Sequence, residues 1–308
     1  MKVVVLGGGG FIGTHLCRQL VKAGFEVSAF GRSFLNLRAL KGVNVITGDF
    51  SDETILATAI HGAEIVYHLI HATLPNIANI EMVADIQKSV VGTVRMLEAA
   101  VSNGVSRVVF VSSGGTIYGP TNNVPITEDH PTNPIGAYGI NKLAIEKYVQ
   151  LFERLHGLRG FSVRLANPFG PLQTGIRHQG LIPTVVRQMI RDKPVTIFGD
   201  GSNVRDYVYI DDAISALISL GNYQGQLRNF NVGGSDGGKS ILQIVSAIES
   251  ALGQKAKLEF APARTFDVPM SILCCERIKR ETGWKPVVPF VTALRETIDW
   301  LKDEGEFV

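Results

Sequence analysis

Apolar residues in the first half of the chain fall in short unbroken blocks, at residues 2–6, 26–30, 44–47, 65–69, 107–112 and 160–166. Continuous runs of this length are the pattern of strands buried on both faces. Between them, residues 14–23, 53–60, 81–103 and 137–155 carry apolar positions at helical spacing. Such alternation predicts an α/β fold built on a doubly wound parallel sheet, with ligands at the carboxyl ends of its strands. After Asn167-Pro168-Phe169-Gly170-Pro171 the segments shorten, and glycine and proline punctuate them. The pattern therefore predicts a first domain over residues 1–170 and a smaller α/β lobe over 171–308. Helices are expected in that lobe at 181–191, 241–252 and 289–302. The segment near 203–220, with a helix at 211–220, is expected to return to the first domain.

Composition narrows the function classes. The 308 residues can bury a large core, and 45% apolar with 19% charged residues is a globular balance. The formal charge is +2 and the basic residues are scattered, so no nucleic-acid partner is expected. Cys17, Cys274 and Cys275 are too few and badly spaced for a disulfide frame or a zinc site. No metal is expected, and a reducing cytoplasm suits the chain. The opening run Val3–Leu6 ends at glycine after four residues and does not read as a signal peptide. No apolar segment approaches the ~20 residues needed to span a bilayer, so no membrane partner is expected.

Two constellations carry chemistry. Gly7-Gly8-Gly9-Gly10-Phe11-Ile12-Gly13 joins the first strand to the first helix, with the spacing Gly7-x-x-Gly10-x-x-Gly13. Glycines let the backbone approach a pyrophosphate, and the helix start offers free N–H groups to it. A plain glycine-rich βα turn is the alternative, and its place between strand and helix favours phosphate. Tyr138-Gly139-Ile140-Asn141-Lys142 is the second. Positions four apart share a helix face, and an ammonium beside a phenol is expected to lower its pKa until it can serve as acid or base. A chance Tyr-x-x-x-Lys on an exposed face is the competing explanation.

In order along the chain, the glycine run is followed by Thr47-Gly48-Asp49-Phe50, Ser112-Ser113 through Tyr118-Gly119, the Tyr138/Lys142 pair and Arg164 through Asn167-Pro168. Gly199-Asp200-Gly201, Arg205-Asp206-Tyr207, Asn231-Val232-Gly233 and Gly283-Trp284-Lys285-Pro286 come later. This series resembles the extended short-chain dehydrogenase/reductases, the NAD-dependent epimerase/dehydratase family, over nearly the whole length. The resemblance implies a Rossmann-type first domain and a nucleotide-sugar-binding lobe. It implies that Gly7, Gly10, Phe11, Ile12 and Gly13 hold the pyrophosphate, that Asp49 and Phe50 meet the adenine, and that Leu69 lies over the cofactor. Tyr138 would be the base and Lys142 would hold the nicotinamide ribose. Asn167, Arg205 and Arg264 would bind the substrate diphosphate, with Asp267 on the nucleotide ribose. A surface ion pair is the alternative for either arginine. Gln179, Leu181, Thr196 and Phe198 would shape the sugar pocket. A homodimer is implied through helices 81–103 and 137–155; Val91, Val94 and Leu97 could serve it or face their own sheet.

Departures from the family pattern bear on the reaction. The second strand ends in Gly31-Arg32-Ser33 where the family often has an acidic residue. Without that carboxylate, Arg32 and Ser33 could bind a 2′-phosphate, which argues for NADP where the family implies NAD; alternatively Arg32 stacks on adenine. Gly114 stands where a catalytic Ser or Thr is usual, leaving Thr116, Ser113 or a water to supply the hydroxyl. Gly115 and Thr116 replace the acids of the dehydratases, which counts against 4,6-dehydration. Ile70 and His71 replace small residues, with His71 either a ligand or packed, and His68 expected in the core. Ser89 replaces a common Asn. The leading expectation is a nucleotide-sugar 4-epimerase, with UDP as the nucleotide and surface-polysaccharide synthesis as the setting. The alternatives are an NADPH-dependent 4-keto-sugar reductase and a non-catalytic dinucleotide sensor.

Overall fold

A computed structural model describes residues 1–34, 36–71, 73, 75–174, 180–234 and 236–304. The first part of the chain forms β1 (Lys2–Leu6), α1 (Phe11–Lys22), β2 (Glu26–Gly31), β3 (Asn44–Thr47), α2 (Glu53–Ile60) and β4 (Ile65–His68). It continues with α3 (Pro75–Ala78), α4 (Met82–Asp85), α5 (Gly92–Ser102), β5 (Arg107–Ser113), α6 (Ala137–His156) and β6 (Arg159–Leu165). Then come β7 (Asn167–Phe169), α7 (Leu181–Ile190), β8 (Val195–Phe198), β9 (Val204–Arg205), β10 (Tyr207–Tyr209), α8 (Ile210–Asn222) and β11 (Asn229–Val232). The last elements are β12 (Lys239–Ser240), α9 (Ile241–Leu252), β13 (Leu258–Ala261), β14 (Met270–Ser271), α10 (Glu276–Thr282) and α11 (Phe290–Glu304).

Seven strands make one parallel sheet in the order β11-β6-β5-β4-β1-β2-β3. The chain winds outward from β1 in both directions, as a Rossmann-type fold requires. Val3 to Leu6 and Val108 to Phe110 are fully buried, because helices cover both faces. One face packs under α1 and α8, the other under α2, α5 and α6. Asp52 caps α2 by accepting from the Thr54 and Ile55 amides.

Three local features differ from the sequence pattern. The stretch 81–103 is not one α-helix: α4 and α5 are joined by a π-helical turn over Ile86–Val91. Such a turn widens the helix by one residue and turns neighbouring side chains. The apolar run 160–166 forms β6 and stops at Leu165, and the residues just beyond it form a separate β7, which pairs with β10. The sheet also gains β11 from beyond residue 170, which the apolar pattern does not predict. Its Asn229 and Asn231 interrupt the run, yet Asn231 is fully buried because its amide is bonded on both sides.

Candidate active site

The turn from β1 to α1 is shaped by contacts that only glycine allows. Gly7 adopts φ +88°. A Cβ on Gly13 would lie 2.2 Å from the Gly7 carbonyl oxygen, and one on Gly9 would lie 2.2 Å from that of Ser33. Helix α1 can therefore start tightly against the strand. Its N-cap, Gly10, carries no side-chain hydrogen bond, so the first amides stay available to an anion. Phe11 and Ile12 are half-buried behind them.

The rim of this cradle gathers the ends of β2, β3 and β4. A Cβ on Gly31 would meet nothing closer than 3.7 Å, so sterics do not impose glycine there. Arg32 and Ser33 are exposed. Asp49 Oδ1 accepts from the Ser51 amide (2.9 Å) and hydroxyl (2.6 Å). Those bonds, with the nearby charges of Arg32 and Lys88, hold the Asp49 carboxyl below its ordinary range. Phe50 stacks on buried His68, with centroids 5.3 Å apart. The His68 Nε2 shares a hydrogen bond with Thr93 Oγ1, as expected of a core histidine. Leu69 N donates to Leu6 O at 3.0 Å, extending the β1–β4 ladder to the rim.

Tyr138 and Lys142 lie one turn apart at the start of α6. The Lys142 Nζ is 5.7 Å from the Tyr138 ring centre and donates to Val111 O at 2.7 Å. The expected direction of the tyrosine shift is reversed here. Burial, reinforced by the charge of Asp85, pushes the Tyr138 phenol above its ordinary value. Burial also lowers Lys142 to about 7, against the pull of Asp85 and Glu146. Burial thus works against the charged form of both groups. His71 sits edge-on to the Tyr138 ring at 4.4 Å between centroids and 3.4 Å from Asp85. Neighbouring Ile70 touches the space at Gly7, so the loop after β4 links the cradle to Tyr138.

The hydroxyl candidates differ. Ser113 is half-buried at the end of β5. Thr116 Oγ1 is buried and has no hydrogen-bond partner among the described residues. Gly114 has a steric cause: a Cβ there would lie 2.3 Å from Leu273 Cδ1. Leu273, more than 150 residues further along the chain, fills the room a Ser or Thr would need unless its methyls shift.

Asn167 donates from both its backbone N (3.0 Å) and Nδ2 (3.1 Å) to Asp206 O. Arg205 lies half-buried on β9 and donates to Val204 O at 2.9 Å. Burial lowers its pKa, and Asp267 opposes this. Exposed Arg264 stacks on Phe198, its guanidinium carbon 3.7 Å from the ring centre. A backbone bond from Asp267 N to Arg264 O ties those two residues into one turn. Leu181 opens α7 half-buried and Thr196 is exposed. Gln179 lies outside the described residues.

A buried network missing from the sequence reading anchors α6 to the sheet. Arg164 forks onto Glu146 (2.8 Å from Nη2 to Oε2) and donates to the Tyr118 hydroxyl (2.9 Å) and Glu128 O (3.1 Å). Tyr118 in turn donates to Asn231 Oδ1 at 2.7 Å. The tyrosine of Tyr118-Gly119 and the arginine before Asn167 were visible as motif members. Their partner Glu146, one turn after Lys142, was the signal available for the network.

A glycine cradle at the head of a parallel sheet, with a Tyr-x-x-x-Lys helix beside it, defines a nicotinamide-dinucleotide protein of the short-chain dehydrogenase/reductase type. The profile of the NAD dependent epimerase/dehydratase family matches residues 3–233, and the chain belongs to that family. It is 30% identical to the UDP-glucose 4-epimerase of Mycolicibacterium smegmatis, over 99% of this chain and 100% of that protein. It is also similar to the crystal structure of Thermotoga maritima UDP-glucose 4-epimerase with UDP-glucose, with TM-score 0.93, 31% identity and coverage of 98% and 99%. Thermus thermophilus UDP-glucose 4-epimerase, in complex with NAD, gives TM-score 0.91 and 29% identity, again over 98% and 99%.

Proposed function

We propose that the chain is a UDP-sugar 4-epimerase that works with a resident NAD. The observation that carries this is Tyr138, placed on α6 against His71 of the loop whose neighbouring Ile70 packs at Gly7 of the cradle, which brings proton and cofactor chemistry to one region. The likeness to 4-epimerases over essentially the full chain supports it. The cradle fits a dinucleotide: Gly7, Gly9 and Gly13 leave the close backbone approach, and the uncapped start of α1 suits a pyrophosphate. When bound, the nicotinamide supplies reversible hydride acceptance. Tyr138 takes the proton of the sugar 4-hydroxyl and later returns it. Thr116, whose buried hydroxyl lacks a partner among the described residues, orients that 4-hydroxyl in place of the hydroxyl missing at Gly114, with Ser113 beside it. Arg205, Arg264, Asn167 and Asp267 hold the nucleotide end, which leaves the sugar free to turn.

At the adenosine end the chain admits NADP as well as NAD, because no carboxylate at Gly31 repels a 2′-phosphate and exposed Arg32 can pair with it. A homodimer is part of the same proposal. Ile80, just before α4, and Val83 on it are 82% and 70% exposed, and with Ile140, Leu151 and Leu155 on α6 they present exposed apolar surface. Val91 shares that exposure, whereas Val94 is half-buried and Leu97 is fully buried in the chain's own core. Among the described residues no helix is long and apolar enough to cross a membrane. The proposal adds a cytoplasmic setting in polysaccharide synthesis.

The test is to denature purified protein, identify released nucleotide by mass spectrometry, and assay 4-epimerisation of UDP-sugars. Stoichiometric NAD with epimerisation is expected. An empty site that takes up NADPH and turns it over with a 4-keto sugar would replace this reading with the reductase.

A further inference from the structure

Asp85 ends α4 with its side chain wholly buried. Three neutral donors from three segments reach it: Thr73 Oγ1 (2.8 Å) and Ser89 Oγ (2.9 Å) on Oδ1, and Asn141 Nδ2 (2.8 Å) on Oδ2. A buried carboxylate is costly unless it is bonded in this way. Burial alone would raise the Asp85 pKa, but the bonds from Thr73 and Asn141, with the His71 imidazole 3.4 Å away, outweigh it and hold the carboxyl well below its ordinary range. The fourth partner is an imidazole pressed against the Tyr138 ring. His71 is more than nine-tenths buried, and neither of its ring nitrogens makes a well-aligned hydrogen bond among the described residues. A purely structural carboxylate has no need of an aromatic neighbour wedged onto the candidate base.

We propose that Asp85 and His71 are positioning residues for Tyr138: His71 seats the phenol ring, and the Asp85 carboxylate behind it keeps the phenol protonated until a positive charge enters the pocket. This deepens the reading of Tyr138 as the base and rests on it. The charged and titratable groups facing Tyr138 are His71, Asp85 and Lys142; His71 and Lys142 also act on His68 behind them. Burial keeps His71 below its ordinary range, so near neutrality it is uncharged and does not cancel Asp85. Lys142, at about 7, cancels it only in part. The pocket is left with a negative bias that disfavours phenolate. A cationic nicotinamide ring opposes that bias, so the base is armed when the hydride acceptor is present and the empty protein carries no reactive phenolate.

Tyrosinate absorbance reads this directly. Each protein is titrated between about pH 6 and 11, with and without NAD, and the trace of the same protein carrying Tyr138→Phe is subtracted. Wild type without NAD is expected to stay silent for Tyr138 across the range. Asp85→Asn should lower the Tyr138 midpoint of the NAD-bound protein by about one unit or more, a tenfold rise in phenolate at fixed pH. His71→Ala should cut kcat about tenfold, and His71→Phe, which restores a ring against Tyr138, should recover most of it. Midpoints that agree within about 0.3 unit, a twofold change, in wild type and Asp85→Asn would overturn the proposal. If Asp85→Asn does not fold, equal kcat losses in His71→Ala and His71→Phe would overturn it instead. The titration needs no turnover. A shifted midpoint in a protein that epimerises no UDP-sugar would sink the functional reading and leave the role of the pair intact.

Discussion

Helix α6 carries two buried charged centres one turn apart, and they are built in opposite ways. At Glu146 the charge is met in full: Arg164 forks onto it through Nε and Nη2, and the two Nη1 protons go to Tyr118 and the Glu128 carbonyl. At Lys142 the ammonium donates to the Val111 carbonyl, burial drags its titration to about 7, and among the described residues neighbouring His71 makes no well-aligned hydrogen bond. The first centre resembles a rivet and the second a socket. A charge that must hold a helix in place is fully compensated, because an uncompensated buried charge destabilises strongly. A charge that must respond to an arriving ligand is left with unused capacity, since compensation in advance would leave the ligand nothing to add.

The contrast can be broken at either centre. Removing the working hydroxyl, Tyr138→Phe, should reduce epimerisation by about 10²–10⁴-fold and leave the thermal midpoint within a few degrees of wild type; a small kinetic loss would show that the base lies elsewhere. At the riveted centre, Arg164→Met strands Glu146 and should cost about 3–5 kcal/mol in urea unfolding. The double change with Glu146→Gln should recover a large part of that loss. At the socket the sign inverts. The folded pKa of Lys142 is depressed, so its contribution to stability is complete above about 10.5 and is lost as pH falls toward about 7. Lys142→Met should therefore stabilise the protein near neutral pH by about 1–3 kcal/mol while lowering turnover, and its advantage should vanish above about pH 10. A Lys142→Met protein less stable than wild type at pH 7 would erase the distinction between the two centres.

Sequence made the first of these centres hard to see and the second partly visible. Tyr138 and Lys142 announce themselves through i,i+4 spacing, and the glycine run through its place between strand and helix. Six strands of the main sheet are legible as apolar blocks. The seventh is hidden because Asn229 and Asn231 mimic a loop until their partners are known. The π turn at Ile86–Val91 is hidden because apolar spacing continues across it. Asp85 reads as one more polar position on a helix, and only the fold reveals that it points away from water. The direction of the tyrosine shift fails for the same reason: spacing gives the lysine neighbour, while burial of the phenol itself and the Asp85 charge set the direction.

Leu273 gives the two parts of the molecule a shared fate. Its side chain occupies the hollow above Gly114, its amide is held by Asp206, and β11 completes the sheet from the far side of the chain. A fragment cut after residue 170 would carry a naked strand edge at β6 and an open notch beside β5, so the cofactor-binding half is not a portable module. Residues 114 and 273 are therefore coupled across the chain: a side chain at 114 needs the Leu273 methyls to move, so the volume allowed at one position is set by the other.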